Sequence, residues 1–244
     1  MIRSSFSSAL PTLIAAFVSC ISANASLVVI PSAFASTEGG NSNGGVLGPN
    51  ARTFQYDYSS SVLTLHPGDS LIGLAFRLNT GVGAISGALS WTQFDIQIAT
   101  STAAPGSLST TFATNAGTDA TTVRSGALNF AAGAFPTGHT PNSFGPEIHF
   151  SMPFTYAGGD LLITIRTSGN GQGTAVLVDS DPNTSGSYQG QGSTLGSSAT
   201  VANGATSTTA IMELDVAAPE PGTLMLMAGG MLIAMAGARA RRVA

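Results

Sequence analysis

The stretch TFQYDY, Thr53 to Tyr58, changes polarity at every step. Phe54, Tyr56 and Tyr58 fall on one side, Gln55 and Asp57 on the other. Successive side chains of an extended chain point to opposite faces, so this run suits a half-buried strand and cannot form the stripe a helix needs. The pattern returns. SLIGLAFRL, Ser70 to Leu78, sets Ile72, Leu74, Phe76 and Leu78 on one face. Phe94, Ile96 and Ile98 alternate with Asp95 and Gln97. Leu161, Ile163 and Ile165 alternate with Leu162, Thr164 and Arg166, and Met212, Leu214 and Val216 with Ile211, Glu213 and Asp215. Turn formers separate these runs: His66-Pro67-Gly68-Asp69, Ala104-Pro105-Gly106, Pro136-Thr137-Gly138 and Gly158-Gly159-Asp160. Proline presets φ and glycine permits positive φ at such places. Many short strands with regular turns and no amphipathic helix between them predict an all-β fold. The expected form is an antiparallel, jelly-roll-like β-sandwich over residues 51–217. Residues 36–50, Gly- and Asn-rich, are expected as a flexible leader. Residues 183–209, nearly all small and polar, are expected as a surface loop or linker.

Charge limits the partners. Only 8% of the 244 residues are charged, against about 25% in ordinary soluble domains. Lysine is absent. Between Ser36 and Ala218, four arginines against eleven acids leave a net charge of −7. Nucleic-acid binding needs a basic footprint to displace counterions from phosphates, so DNA and RNA are excluded as main partners. The single cysteine, Cys20, lies in the N-terminal apolar run. A body without it has no disulfide, no thiol chemistry and no Cys-ligated zinc, and must hold its fold by burial.

The two ends carry sorting signals. Residues 1–35 open with Arg3, continue through the apolar run Ala9 to Ile21, and offer two small-x-small sites, Ala23-Asn24-Ala25 and Ala33-Phe34-Ala35. This is the layout of a secretory signal peptide, with cleavage expected after Ala25 or Ala35. At the other end, residues 218–244 hold Pro219-Glu220-Pro221, then 17 uncharged residues from Gly222 to Ala238, then Arg239, Arg241 and Arg242. Such a run reaches the lower limit for a transmembrane helix, about 17–25 residues. The arginines place its end in the cytoplasm and the body outside. The two prolines stop an incoming element and leave an extended, accessible segment.

This order of motif, apolar run and arginines resembles the PEP-CTERM sorting tail, and Gly222-Thr223-Leu224 matches its common continuation. The resemblance implies a Gram-negative bacterium that makes exopolysaccharide, transient anchoring in the inner membrane, and processing by an exosortase, a membrane-embedded, cysteine transpeptidase-like enzyme. LLITIR after Gly159-Asp160 and the segment from Ala103 to Gly126 are similar to ectodomains bearing this tail. That similarity implies an all-β body and no particular activity.

Inside the body, chemistry is sparse. Gly40-Asn41-Ser42-Asn43-Gly44 has the spacing of a nucleophile elbow but lacks the strand and helix such an elbow requires, and is read as linker. Asp179, Asp181 and Asn183 alternate as oxygen ligands of Ca²⁺ do, although the EF-hand glycine and glutamate are replaced by Thr184 and Gly190. An Asx-rich turn is the plainer reading. His66, His139 and His149 show no zinc spacing. Trp91, Tyr56, Tyr58 and Tyr188 have rings able to stack on sugars, although a lone Trp between strands is more often core. No carboxylate pair stands out for glycoside hydrolysis. The expectation is therefore a non-enzymatic, exported cell-surface or matrix protein with no cofactor beyond the Ca²⁺ question, and with exopolysaccharide as a partner. A secreted polysaccharide hydrolase and a surface-layer subunit stand as alternatives.

Overall fold

The computed structural model describes residues 25–173, 175–182, 186–204 and 208–217. The signal segment up to Asn24, the apolar run 222–238, Pro219, Glu220, Pro221, Arg239, Arg241, Arg242 and Asn183 lie outside the described residues. Among those described, no helix is long and apolar enough to cross a membrane.

The architecture is all-β and antiparallel. Strands are numbered in chain order. The first sheet runs β1 (Ser26–Ile30), β14 (Met212–Ala217), β4 (Ser70–Phe76), β9 (Ile148–Thr155). The second runs β12 (Tyr188–Ser193), β3 (Arg52–Tyr58), β10 (Leu161–Thr167), β6 (Phe94–Thr100), β7 (Thr121–Arg124). A small third sheet orders β13 (Thr209–Ala210), β11 (Val178–Asp181) and β2 (Asn41–Asn43), and a two-stranded ribbon pairs β5 (Leu89–Trp91) with β8 (Leu128–Phe130).

Period-two patterning builds the core. On the second sheet Tyr56 lies opposite Ile163, which lies opposite Ile98; Phe54, Ile165 and Ile96 form the next row. On the first sheet Leu74 and Phe76 of β4 sit beside Leu214 and Met212 of β14. Residues from both sheets join a single apolar cluster, a sandwich-like arrangement in which each sheet hides one face against the other. Turns fall where expected: Asp69 N–H donates to His66 O across Gly68 (φ 101°), and Ser107 N–H to Ala104 O across Gly106 (φ 90°).

Three expectations change. Ile72 was expected inward with Leu74, but the register between β4 and β9 shifts between Leu71 and Gly73. Leu71 is buried and Ile72 only partly so. Residues 36–50 are no flexible leader: β2 pairs with β11, and Val46 and Leu47 are fully buried. The glycines there serve close approach. A Cβ on Gly39 would lie 2.2 Å from Ser180 O, and one on Gly45 2.3 Å from the Phe54 ring. Residues 183–209 include β12, which pairs with β3 over six residues, from Tyr188↔Tyr58 to Ser193↔Thr53. Its Gly192 leaves room for Phe54, whose ring a Cβ would meet at 3.1 Å.

The small sheet is locked to the rest by a buried ion pair. Arg77 follows β4 and bridges to Phe144. Its Nε donates to Asp179 Oδ2 at 2.7 Å, its Nη2 to Thr37 O at 2.5 Å, and its guanidinium lies 5.1 Å from the Phe144 ring centroid. Gly39 N–H donates to Asp179 Oδ1 at 3.0 Å. Both charged side chains are essentially inaccessible, at 1% and 0%. Removing one member of such a pair strands the other charge. Arg77→Met is therefore expected to lower stability by about 3–5 kcal/mol in urea denaturation. Arg77→Met combined with Asp179→Leu should recover most of that loss.

Candidate functional site

The outer face of the five-stranded sheet is polar yet largely covered. By strand parity it carries Gln191 and Gln189 (β12), Gln55 and Asp57 (β3), Thr164 and Arg166 (β10), Gln97 and Asp95 (β6), and Thr122 (β7). Two segments fold over it, Ser101–Ala116 and Thr194–Asn203. The first is held by Gln55. Its Nε2 donates to Phe112 O and Thr164 Oγ1, each at 3.1 Å, and its Oε1 accepts from Asn115 Nδ2 at 2.7 Å and Gln191 Nε2 at 2.9 Å. Every polar atom of this buried amide is paired, which a buried amide requires. The second segment is held by Arg166, whose Nη1 donates to Ala199 O at 2.7 Å and Ser197 O at 3.1 Å.

The two covers pair with each other through Thr111 and Val201, and a polar groove stays open over β10, β6 and β7. Asp95, Gln97, Thr122, Thr164 and Arg166 line it, with a volume of about 140 Å³. Burial works to raise the Asp95 pKa, but hydrogen bonds from Gln93, Gly126 and Ser125 and the charge of Arg124 outweigh it, so the carboxyl sits below its ordinary value. At neutral pH the groove thus presents one fixed anion, one guanidinium, and the amide and hydroxyl groups of Gln97, Thr122 and Thr164. Such a set can hydrogen-bond a polyhydroxylated ligand. It contains one carboxylate, whereas glycoside hydrolysis uses two.

A second described cavity, about 220 Å³, is lined by Val82, Ile85, Leu89, Gln172 and Val176 with the glycine-rich backbone from Gly83 to Gly87. It has no titratable group.

At one corner of the polar face stands Asp57. It is wholly buried, and neither carboxylate oxygen accepts a hydrogen bond. Burial pushes its pKa up to about 7. The neighbouring Ser101 hydroxyl opposes this and the charge of Asp160 adds to it. The alternation of β3 marks Asp57 only as part of the polar side of a strand.

A third cluster lies on the outer face of the first sheet. Glu213 and Asp215 project from β14, with Glu147 and His149 beside them. Gly73 makes room: a Cβ there would lie 1.9 Å from Glu147 Oε1. His149 Nδ1 stands 2.9 Å from Glu147 Oε1. Burial raises the Glu147 pKa; His149 opposes the rise and Asp215 reinforces it. Glu213 is raised by burial and by Asp215.

The expected site residues fall elsewhere. Trp91, Tyr56 and Tyr58, the candidate sugar-stacking rings, all have 0% exposure, and Trp91 takes the core place that a lone tryptophan between strands more often has. Trp91 packs edge-on to Phe94 and Phe130. Tyr56 OH accepts from Asn43 Nδ2 at 3.1 Å and Tyr58 OH donates to Ala210 O at 2.6 Å. These tyrosines face inward with Phe54, and their hydroxyls tie the second sheet to the third, so no ring is open to a sugar. Of the calcium candidates, Asp179 is committed to Arg77 and Gly39, and Asp181 Oδ1 accepts from Tyr188 OH at 2.6 Å. Ser42 lies within β2, away from any strand-to-helix turn. His66, His139 and His149 are exposed, and no group of three or more His, Cys, Asp or Glu suited to a metal occurs among the described residues.

Compared with known proteins, the chain matches no family, no curated protein and no solved structure.

Because the folded state raises the Glu147 pKa above its ordinary value of 4.5, that state holds the proton more tightly than the unfolded chain. The resulting stabilisation is complete below about pH 4.5 and is lost as pH climbs through the raised value. Denaturation midpoints of the wild type should therefore fall from pH 4 to 8. Glu147→Gln should flatten that fall without abolishing it, since Asp57 and Glu213 titrate in the same direction.

Proposed function

We propose that the chain is an exported cell-surface or matrix protein, sorted by a PEP-CTERM-like tail and processed by an exosortase-like enzyme. Its jelly-roll-like β-sandwich body would associate with glycan without catalysis. The observation that carries this reading is where the body lies between the two terminal signals. β1 begins at Ser26, the residue after Ala23-Asn24-Ala25, and β14 ends at Ala217, two residues before Pro219.

The same observation supports one of the two cleavage sites over the other. β1 pairs with β14 from Ser26↔Val216 to Ile30↔Met212, and Ile30 is fully buried. Cleavage after Ala35 would remove this strand and leave β14 with an open edge. Cleavage after Ala25 keeps it whole. The acidic, lysine-free body suits an extracellular setting. The groove of Asp95, Gln97, Thr122, Thr164 and Arg166 offers hydrogen-bonding groups to sugar hydroxyls, with the inner membrane serving only as a passing anchor.

N-terminal sequencing of the exported protein should begin at Ser26; a start at Ser36 would overturn the cleavage assignment. Replacing Pro219, Glu220 and Pro221 by Ala, Gln and Ala should leave a heavier, membrane-retained product in the host, whereas an unchanged mature mass would overturn the sorting route. On a glycan array that includes the host's exopolysaccharide, Gln97→Ala with Arg166→Ala should weaken binding roughly tenfold. That corresponds to the loss of one or two hydrogen bonds, about 1.4 kcal/mol in all. Absence of binding by the wild type would overturn the glycan part alone.

A further inference from the structure

We propose that Asp57 and Asp160, at the corner of the five-stranded sheet beneath the Ser101–Leu108 segment, hold a divalent cation with the coordination chemistry of Ca²⁺. The starting point is an imbalance. Asp57 has 0% exposure, and both its oxygens lack a hydrogen-bond partner. The ion nearest in influence is Asp160, of the same sign. A buried carboxylate without donors or a counter-ion is costly, and folded proteins relieve such groups with a proton, a partner or an ion. The same fold contains the contrasting case: Asp179, equally buried, is met by Arg77 and Gly39 N–H. Among the described residues no arginine is placed to do this for Asp57.

The surroundings supply hard oxygen ligands. Asp57 sits opposite Leu162 on β10 and Gln189 on β12, and Leu162 sits opposite Ala99 on β6. One step of two residues along β10 and β6, just past their paired ends, brings Asp160 and Ser101 onto the same row. The two are tied together, since Ser101 N–H donates to Asp160 O at 2.8 Å. Asp160 uses Oδ1 to accept from Ser60 N–H at 2.8 Å, and its half-exposed carboxylate opens the corner to solvent. The Ser101 hydroxyl donates to Ala103 O at 2.8 Å and accepts from Ala103 N–H at 3.4 Å, which leaves one lone pair for a ligand. Gln189 Oε1 accepts from Gly106 N–H at 2.7 Å, which pins the covering segment over the site.

Two carboxylates, a hydroxyl and added waters make an all-oxygen set, with no histidine or cysteine among these residues. That set favours Ca²⁺ over softer metals. The cation would neutralise Asp57 and fasten the covering segment to β3 and β10. This inference is independent of the sorting and glycan readings.

The test uses the full chain purified in detergent, stripped with EGTA and studied at pH 8 with Ca²⁺ alone as the probe. Calorimetric titration should show one equivalent of Ca²⁺ bound. The melting temperature should rise by about 5–10 °C at a Ca²⁺ concentration a hundredfold above Kd. Asp57→Asn should bind no Ca²⁺ yet melt, in EGTA, at or above the stripped wild type, because the amide removes a buried charge; that result also shows the variant is folded. Asp160→Asn should weaken binding at least tenfold. The proposal is overturned if the stripped wild type binds no Ca²⁺ and melts at one temperature with and without it. It is equally overturned if Asp57→Asn binds Ca²⁺ as the wild type does.

Discussion

Arg77 and Asp179 meet where water cannot screen them, and each draws a different part of the chain to the meeting point. Arg77 brings the end of β4 and, through Phe144, the segment that leads into β9. Asp179 brings β11, and the pair jointly fixes Thr37 and Gly39 at the start of the Gly-rich stretch. An apolar contact would have tolerated a slide of a residue or so. A guanidinium aimed at one carboxylate and one carbonyl does not, because a slip leaves a charge buried and unpaired. The small sheet, the burial of Val46 and Leu47, and the seat of the Tyr56 and Tyr58 hydroxyls all follow from that register.

The second sheet solves a different problem. Its outer face is made of amides, hydroxyls and charges, yet much of it is covered. Gln55 makes this workable by using its two kinds of amide atom at once, accepting from Asn115 and Gln191 while donating to Phe112 O and Thr164. Polar covers are specific in a way that greasy ones are not, since each wrong placement leaves a donor unmet. The groove by Arg166 lies over β10, β6 and β7. The Asp57 corner is the place on this face where the hydrogen-bond bookkeeping does not close.

Strands with one apolar face were readable from the sequence. Leu161, Ile163 and Ile165 turn inward as their spacing demands, and Met212, Leu214 and Val216 do the same. What the alternation cannot report is whether the opposite face is also covered; Gln55 and Asp57 look solvent-facing in a local window, and it takes residues about 50 to 60 positions away to bury them. Register shifts are equally silent, which is why Ile72 traded places with Leu71. Glycine-rich stretches misled for a related reason. Gly39, Gly45 and Gly192 read as freedom, but in the fold they are clearances for Ser180 O and for the Phe54 ring. The Arg77–Asp179 pair spans 102 positions, and nothing local marks either residue as the other's partner.

β14 lies between β1 and β4, hydrogen-bonded on both sides, and ends at Ala217 where the chain passes toward its C-terminal segment. Tension applied at that end acts along the strand, while its ladder hydrogen bonds run across it. The load is carried in shear, by two rows of bonds that must fail together, instead of one pair at a time as in a peeled edge. A body pulled from that end is mechanically robust along β14. Its weakest line is β1, whose outer edge has no partner strand among the described residues.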